Sequence, residues 1–115
     1  MSNTPKRKHP QARQFTARVF QFLTGVAKDR ELPPSAEAIA IVLSQFFNRK
    51  HGGAAWPSLE TIAEAIGINK STIWRTLKQM ERRGHLRIDW GQQGRGHSSQ
   101  YWMAAGQAEK LHPRN

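Results

Sequence analysis

The chain has 115 residues, which is enough for one domain with a modest hydrophobic core. Its 18 Lys and Arg residues against 8 Asp and Glu give a formal net charge of +10, which attracts polyanions, nucleic acid before an anionic membrane. The lack of cysteine excludes disulfides, thiolate nucleophiles and cysteine-ligated zinc. No signal-peptide pattern opens the chain and no apolar run approaches the roughly 20 residues of a membrane span, so we expect a cytoplasmic protein.

The basic residues are unevenly distributed along the chain. Residues 31–69 hold two basic side chains against four acidic ones, as expected of an ordinary globular surface. Residues 70–95 instead hold seven basic side chains against only Glu81 and Asp89. Positive charge is therefore concentrated on one short supersecondary unit. The seven residues are Lys70, Arg75, Lys78, Arg82, Arg83, Arg87 and Arg95.

The N-terminal part of the chain contains a basic arm and a predicted helix. Residues 1–9 lack large apolar side chains, so burial cannot offset the entropy lost on ordering, and we predict a disordered arm. Over residues 10–30, apolar side chains recur at helical spacing and predict an amphipathic helix with Arg13 and Arg18 on its polar side. The apolar stripe either packs against the domain or forms a homodimer interface. It consists of Phe15, Val19, Phe22, Leu23 and Val26.

A second helix is predicted after the prolines at 33–34. Ser35 is the expected N-cap, and the helix is expected to end near Asn48. Because its side chains are largely apolar, this helix should lie at the buried centre of the domain. A glycine turn at 52–53 and a short extended segment at 54–57 follow. The apolar residues of the helix are Ile39, Val42, Leu43, Phe46 and Phe47.

Two further helices are delimited by capping residues. Ser58 is predicted to cap a third helix that Gly67 ends, and Asn69 to cap a fourth helix that ends at Gly84. Each helix carries apolar side chains on one face. These are Leu59, Ile62, Ala63 and Ile66 in the third helix, and Ile73, Leu77 and Met80 in the fourth.

The C-terminal part predicts a β-hairpin. Residues 85–89 alternate apolar and polar side chains, and residues 100–103 offer a second strand. The connecting loop, 91–99, is polar and rich in glycine. Residues 104–115 are expected to form a flexible tail.

The third and fourth helices match the helix-turn-helix pattern. Ala63 lies four residues before the turn glycine and Ile73 six after it. A small residue lets the two helices cross closely, and Gly67 can adopt the positive φ of a tight turn. With the following hairpin and its basic loop, the arrangement is that of a winged helix. The predicted fold class is mainly α with a small β-hairpin: a winged helix-turn-helix over residues 35–103 with an extra N-terminal helix.

Three segments carry a resemblance to known proteins. They are WPSLETIAEAIG from Trp56 to Gly67, STIWRTL from Ser71, and GHLR from Gly84. Over about residues 35–103 the chain resembles winged-helix domains of phage and plasmid replication initiators, replisome organisers and small repressors, with broader similarity to MarR and GntR regulators. The resemblance implies DNA binding. Trp74 departs from it, because such domains usually carry a smaller polar residue at this position.

Helical geometry identifies the side chains of the fourth helix, about residues 70–83, that point away from the core. At about 100° per residue from Ile73, one polar face carries three cations and no acid. Arg75 is the candidate for bidentate guanine readout, with Lys78 or Arg82 better placed for phosphates. The predicted DNA contacts are Lys70, Ser71, Thr72, Trp74, Arg75, Lys78 and Arg82 on the helix, and Arg95 and His97 in the wing.

Two of these residues have alternative interpretations. Trp74 flanks the polar face, where it either touches a thymine methyl group or sugar, or packs beneath the wing. Arg95 lies between Gly94 and Gly96, which allow close backbone approach and entry of the guanidinium into a minor groove. The alternative is a mobile loop with an incidental arginine.

The predicted function is sequence-specific binding of double-stranded DNA by a non-enzymatic transcriptional regulator. A replication initiator or replisome organiser is the alternative, and a protein-interaction module the second alternative. The best candidate pair for acid–base catalysis, Glu60 and Glu64, is better explained as a solvated face. The histidines lack metal-ligand spacing, so neither a metal nor a cofactor is expected; they are His9, His51, His85, His97 and His112.

Overall fold

The computed structural model describes residues 10–91 and 99–104. These residues form four α-helices, one short 3-10 helix and a two-stranded hairpin, which confirms the predicted fold class. The predicted arm at 1–9, most of the wing loop and the tail beyond residue 104 lie outside the described residues. The elements are α1 Pro10–Lys28, α2 Ser35–Ser44, the 3-10 helix Arg49–His51, α3 Leu59–Ile66, α4 Lys70–Arg82, β1 Leu86–Asp89 and β2 Gln100–Met103.

One hydrophobic core joins all of these elements except the 3-10 helix. Helix α1 packs on α2, and α4 packs against α2, α3 and β1. Helix α4 therefore lies at the centre of the described structure, and one of its faces is fully enclosed. The largest fully buried side chains are Tyr101, Ile39, Leu43, Ile62, Ile73, Leu77 and Met80.

The apolar stripe of α1 packs against this core. Phe22 is only 5% exposed, and its ring meets that of Phe47 edge-on at a centroid distance of 5.5 Å. Val26 is buried as well, and the other three members of the stripe are partly buried against the same core. Of the two interpretations of the stripe, packing is therefore the correct one. Phe22 and Val26 are therefore not available as contacts with a second copy.

Helix α2 differs from its prediction at both ends. It ends at Ser44, four residues before the predicted Asn48, because the chain tightens into i→i+3 hydrogen bonds, such as Phe46 N–H to the Leu43 carbonyl at 2.8 Å. Phe47 turns into the core, but Phe46 remains exposed. Ser35 is not the N-cap: its hydroxyl is hydrogen-bonded to the buried Thr76 hydroxyl of α4 at 2.9 Å.

The hairpin forms from the two predicted strands and has a third partner. Leu86 pairs with Met103 and Ile88 with Tyr101, and both pairs are buried on one side. Ala55, in the segment before α3, forms an antiparallel bridge with Tyr101 through two backbone hydrogen bonds of 2.9 Å. This bridge fixes the extended segment to the edge of β2 that β1 leaves open.

A buried carboxylate connects the end of α1 to the end of α4. Asp29 accepts two hydrogen bonds of 3.0 Å from the Arg83 guanidinium and one of 2.7 Å from His85 Nε2, because an ionised carboxylate can only accept. The backbone N–H of Glu31 is a fourth donor at 3.0 Å. The Arg83 guanidinium holds the pKa of the Asp29 carboxyl well below its usual value, although burial acts in the opposite direction.

The burial of Phe22 gives a direct test of the packing of α1. We expect Phe22→Glu to lower the free energy of unfolding by on the order of 3–5 kcal/mol, because an unpaired carboxylate would lie in an apolar core. Gln21→Glu on the same helix is the control, because Gln21 is exposed. Urea unfolding followed by circular dichroism measures both. A folded Phe22→Glu variant with wild-type stability would contradict the packing of α1.

The Asp29 cluster gives a test that depends on pH. We expect Asp29→Asn to cost on the order of 1–3 kcal/mol at pH 7, because the acceptor of charge-assisted hydrogen bonds loses its charge. The folded-state pKa is lowered, so the contribution is complete above the ordinary carboxyl pKa of about 4 and is lost as the pH falls through the folded-state value. The stability difference should therefore narrow below about pH 4.

Urea unfolding across this pH range measures the difference. Glu64→Gln removes an exposed carboxylate and should leave stability nearly unchanged at every pH. An Asp29→Asn deficit of constant size from pH 7 to strongly acidic solution would show that the carboxylate charge contributes nothing.

Candidate nucleic-acid interface

The turn between α3 and α4 is built by the predicted residues. The Ser58 hydroxyl accepts from Thr61 N–H at 3.0 Å and so caps α3. Gly67 ends that helix in the left-handed conformation, at φ 71°, and donates to the Ala63 carbonyl at 2.7 Å. A Cβ at Gly67 would meet nothing within 4 Å, so glycine is required by backbone conformation and not by space. The turn is therefore short, and hydrogen bonds define its conformation.

Asn69 caps α4 and fixes where the helix begins. Its Oδ1 accepts from Thr72 N–H at 2.9 Å, as predicted. Thr72 itself is half-buried, so the side chain available at the start of the helix is that of Ser71, which is exposed. The cap and the turn together set the direction in which α4 leaves α3.

The predicted polar face of α4 lies opposite its buried face. Arg75 and Arg82 are exposed with Ser71, and Lys78 is half-buried. No carboxylate among the described residues lies within salt-bridge distance of Arg75, Lys78 or Arg82. This face is therefore a row of three cations, about two helical turns long, with no described carboxylate paired to any of them. The buried face consists of Ile73, Thr76, Leu77 and Met80.

Lys70 and Arg83 interact with carboxylates. Lys70 Nζ lies 3.1 Å from Glu60 Oε2, in a solvent-exposed pair of the kind that contributes little to stability. Arg83 is committed to Asp29 at the end of α4. Arg83 therefore links the end of α4 to the end of α1. The net charge of residues 70–95 is accordingly larger than the positive charge that α4 presents to a ligand.

Trp74 lies at the junction of α4 and the hairpin. It is 43% exposed, and its ring meets that of Trp90 at a centroid distance of 6.5 Å. The Lys78 ammonium lies over the Trp74 ring, 4.5 Å from its centroid. Trp90 in turn donates from Nε1 to Glu81 Oε1 at 3.3 Å. Trp74 is thus both held by the base of the hairpin and open to solvent beside the cationic face.

Two parts of this arrangement were missed at the sequence level. Trp90 carries no periodic signal because it follows the end of β1, so its contact with Trp74 was not predicted. Arg87, on the outer side of the hairpin, stacks over Trp102 at 4.2 Å from the ring centroid. The register of the hairpin pairs Arg87 with Trp102 directly, so a register-based search would have found this contact.

The predicted wing contacts belong to the loop that joins β1 and β2. Arg95 and His97 lie outside the described residues, as do the glycines beside Arg95. The base of the loop is described: Asp89 pairs with Gln100, and the Asp89 carboxylate accepts from Gly91 N–H at 3.1 Å. The loop therefore leaves from the end of the hairpin that also carries Trp90.

Comparison with known proteins identifies the domain. Residues 30–86, from just before α2 into the first residue of β1, match a family model described as a helix-turn-helix domain. The chain carries a winged helix-turn-helix domain. No curated protein and no solved structure matches the chain. Domains of this type bind DNA, so DNA is the partner that the match implies.

The described residues hold neither a metal-binding cluster nor a membrane-spanning helix. Within residues 10–91 and 99–104, no group of three or more His, Asp or Glu side chains is arranged to hold a metal ion. No helix in that part of the chain is long and apolar enough to cross a membrane. Glu60 and Glu64 are exposed on α3 of the winged helix-turn-helix, and Glu60 pairs with Lys70.

The cationic face predicts a strong salt dependence of DNA binding. With roughly five phosphates neutralised, the logarithm of the binding constant should fall against the logarithm of salt concentration with a slope near −4 to −5. Replacing Lys78 and Arg82 together by Ala should make this slope less negative by about 2, one per lost phosphate contact. Fluorescence anisotropy with a labelled duplex at several salt concentrations measures the slope.

Arg18→Ala is the charge-matched control, because Arg18 lies on α1, outside the cationic face. It should leave the slope unchanged. A wild-type slope near zero would contradict binding of duplex DNA through this face.

Proposed function

We propose that this protein binds specific sequences in double-stranded DNA by placing α4 in the major groove. The observation that supports the proposal is the face of Arg75, Lys78 and Arg82, which is free of carboxylates on the second helix of a helix-turn-helix. An ordinary solvated helix face mixes charges of both signs, whereas a DNA-contacting face presents cations. The loop 91–99, with Arg95 and His97, follows as the wing that reaches the adjacent minor groove.

The side chains of α4 differ in what they are suited to contact. Arg75 is exposed in the second turn of α4, where its planar guanidinium can bind guanine O6 and N7 together. Lys78 and Arg82 lie further along and suit phosphates, which need charge but little directionality. Ser71 and Thr72 at the helix start can donate to a phosphate or a base edge. Lys70 joins them by exchanging Glu60 for a phosphate, at little cost because the pair is exposed.

Trp74 contributes an apolar contact beside these cations. Trp90 and Lys78 hold its ring, so little side-chain freedom would be lost when DNA binds. Its exposed edge is suited to a thymine methyl group or a deoxyribose next to the base pair read by Arg75.

We infer that the biological role is transcriptional regulation. Footprinting on DNA that flanks the protein's own gene tests this role. Protection over the promoter would support it, whereas protection over iterated repeats would contradict it and indicate a replication initiator or replisome organiser. Binding to a protein and not to DNA would indicate an interaction module.

A homodimer through α1 is part of this proposal, because one winged helix reads few base pairs and a two-fold partner doubles the site. Since Phe22 and Val26 are buried, we place the contact on the opposite side of α1, around the exposed Phe20. The Phe20→Glu variant should then remain folded, sediment as a monomer and lose tight binding to a palindrome. A wild type that is monomeric at high concentration, both free and on DNA, would contradict the dimer.

The roles of Arg75 and Lys78 can be separated by mutation. We expect Arg75→Ala to cost on the order of 1–3 kcal/mol on a selected duplex and to relax preference at one base pair. Lys78→Ala should instead weaken all duplexes to a similar extent, because a phosphate contact carries no sequence information. Selection from a random duplex library, followed by competition binding with single base-pair variants, measures both effects.

Arg82→Ala provides a second phosphate-type variant for comparison, and it should behave like Lys78→Ala. Equal losses on selected and unrelated duplexes for Arg75→Ala would show that Arg75 contacts phosphate and that base readout lies elsewhere.

A further inference from the structure

A cleft with two exposed aromatic walls lies beside the start of α3. Phe46 and Trp56 are each 41% exposed and face a cavity of about 400 Å³. Large aromatic side chains that remain exposed together around a concave surface indicate a binding site. The remaining lining residues are Asn48, Pro57, Ser58 and Thr61. None of them belongs to the contact surface of α4.

The cleft is preformed by the segment between α2 and α3. Asn48 forms a backbone bridge with Ala54, with Asn48 N–H donating to the Ala54 carbonyl at 3.0 Å, and its Oδ1 accepts from Lys50 N–H at 2.9 Å. The His51 ring meets the Trp56 ring edge-on, with centroids 5.6 Å apart. Pro57 is buried directly after Trp56 and restricts the backbone there. The aromatic wall is therefore held in place before any ligand arrives.

The charge around the cleft favours an anionic ligand. Residues 44–59 contain Arg49 and Lys50 and no acidic residue. Both cations are exposed on the 3-10 helix, which begins directly after the lining residue Asn48, and no described carboxylate lies within salt-bridge distance of either. Apolar walls next to uncompensated cations suit a ligand that is apolar on one face and anionic on another, as a deoxyribose with its phosphates is.

The cleft also lies near the start of α4. Thr61 lines it, and the preceding residue, Glu60, reaches Lys70, the first residue of α4, at 3.1 Å. When a helix lies in a major groove, the sugar–phosphate backbone that borders the groove passes beside the helix ends. The cleft is therefore in a position to meet the same duplex that α4 contacts.

We propose that this cleft is a second DNA-binding site, which takes a sugar–phosphate segment of the duplex outside the base pairs read by α4. Arg49 and Lys50 bind the phosphates, and Trp56 and Phe46 pack against the apolar face of the sugar. The proposal rests on the proposed function, because it assumes that α4 binds duplex DNA. The contact extends the footprint and adds affinity, but it carries no base preference.

Two variants test the cleft. Arg49→Ala combined with Lys50→Ala should make the salt slope less negative by about 2 and weaken selected and unrelated duplexes to the same extent. Trp56→Ala should weaken binding and shorten the hydroxyl-radical footprint on one side, with base preference unchanged. The double variant changes only exposed side chains, so it tests the site even if Trp56→Ala is unstable.

Controls separate this site from α4 and from general surface effects. Ile41→Ala removes an exposed apolar side chain outside the cleft, and Arg18→Ala removes an exposed cation on α1; both should bind like wild type. Both cleft variants could retain wild-type affinity, salt slope and footprint while Arg75→Ala still loses specific binding. That result would overturn the cleft proposal and leave the proposed function intact.

Two further outcomes would also overturn the proposal. If Trp56→Ala weakens binding only to single-stranded DNA or to duplexes with an unpaired overhang, the cleft holds an unpaired base stacked on Trp56 and not the duplex backbone. If the wild type binds no duplex at all, the proposed function fails, and the cleft proposal fails with it.

Discussion

Burial of one face of α4 is the constraint on which the rest of the structure depends. Ile73, Leu77 and Met80 are completely enclosed by α2, α3 and β1. Rotating the helix by one residue, about 100°, would move apolar side chains into water and carry the polar flank toward the core, where an unpaired charge costs several kcal/mol. The direction of Arg75 is therefore fixed by side chains that cannot themselves touch DNA.

The same helix determines where the hairpin lies. Trp74 contacts Trp90, and Glu81, two turns further along α4, accepts a hydrogen bond from Trp90. Trp90 immediately follows β1, so these contacts fix the point at which the wing loop leaves the domain. Because Lys78 also stacks on Trp74, one aromatic side chain couples a cation of the polar face to the base of the hairpin. Helix α4 and the base of the hairpin therefore form one continuous surface.

Local signals in the sequence were sufficient for the helix-turn-helix. The caps at Ser58 and Asn69 and the positive φ of Gly67 each depend on a few neighbouring residues, so spacing alone predicted them. The errors arose where distant residues decide the outcome. Ser35 bonds to Thr76, 41 residues away, instead of capping α2, and Arg83 bonds to Asp29, 54 residues away. Neither hydrogen-bond partner can be predicted until the packing of α1 and α2 against α4 is known.

Contacts made inside the fold also explain why the net charge of residues 70–95 is a poor guide to the charge that α4 presents to a ligand. Of the basic side chains there, Lys70 and Arg83 pair with carboxylates and Arg87 stacks on Trp102. These three side chains therefore already have partners within the protein. The remaining cations of α4 differ from one another in how the fold holds them. Arg75 and Arg82 extend into solvent, whereas Lys78 is held against an indole and would lose less side-chain entropy on meeting a phosphate. Under the proposed function, selectivity on this surface would arise from how each cation is held, because the number of cations determines only how strongly any polyanion is attracted.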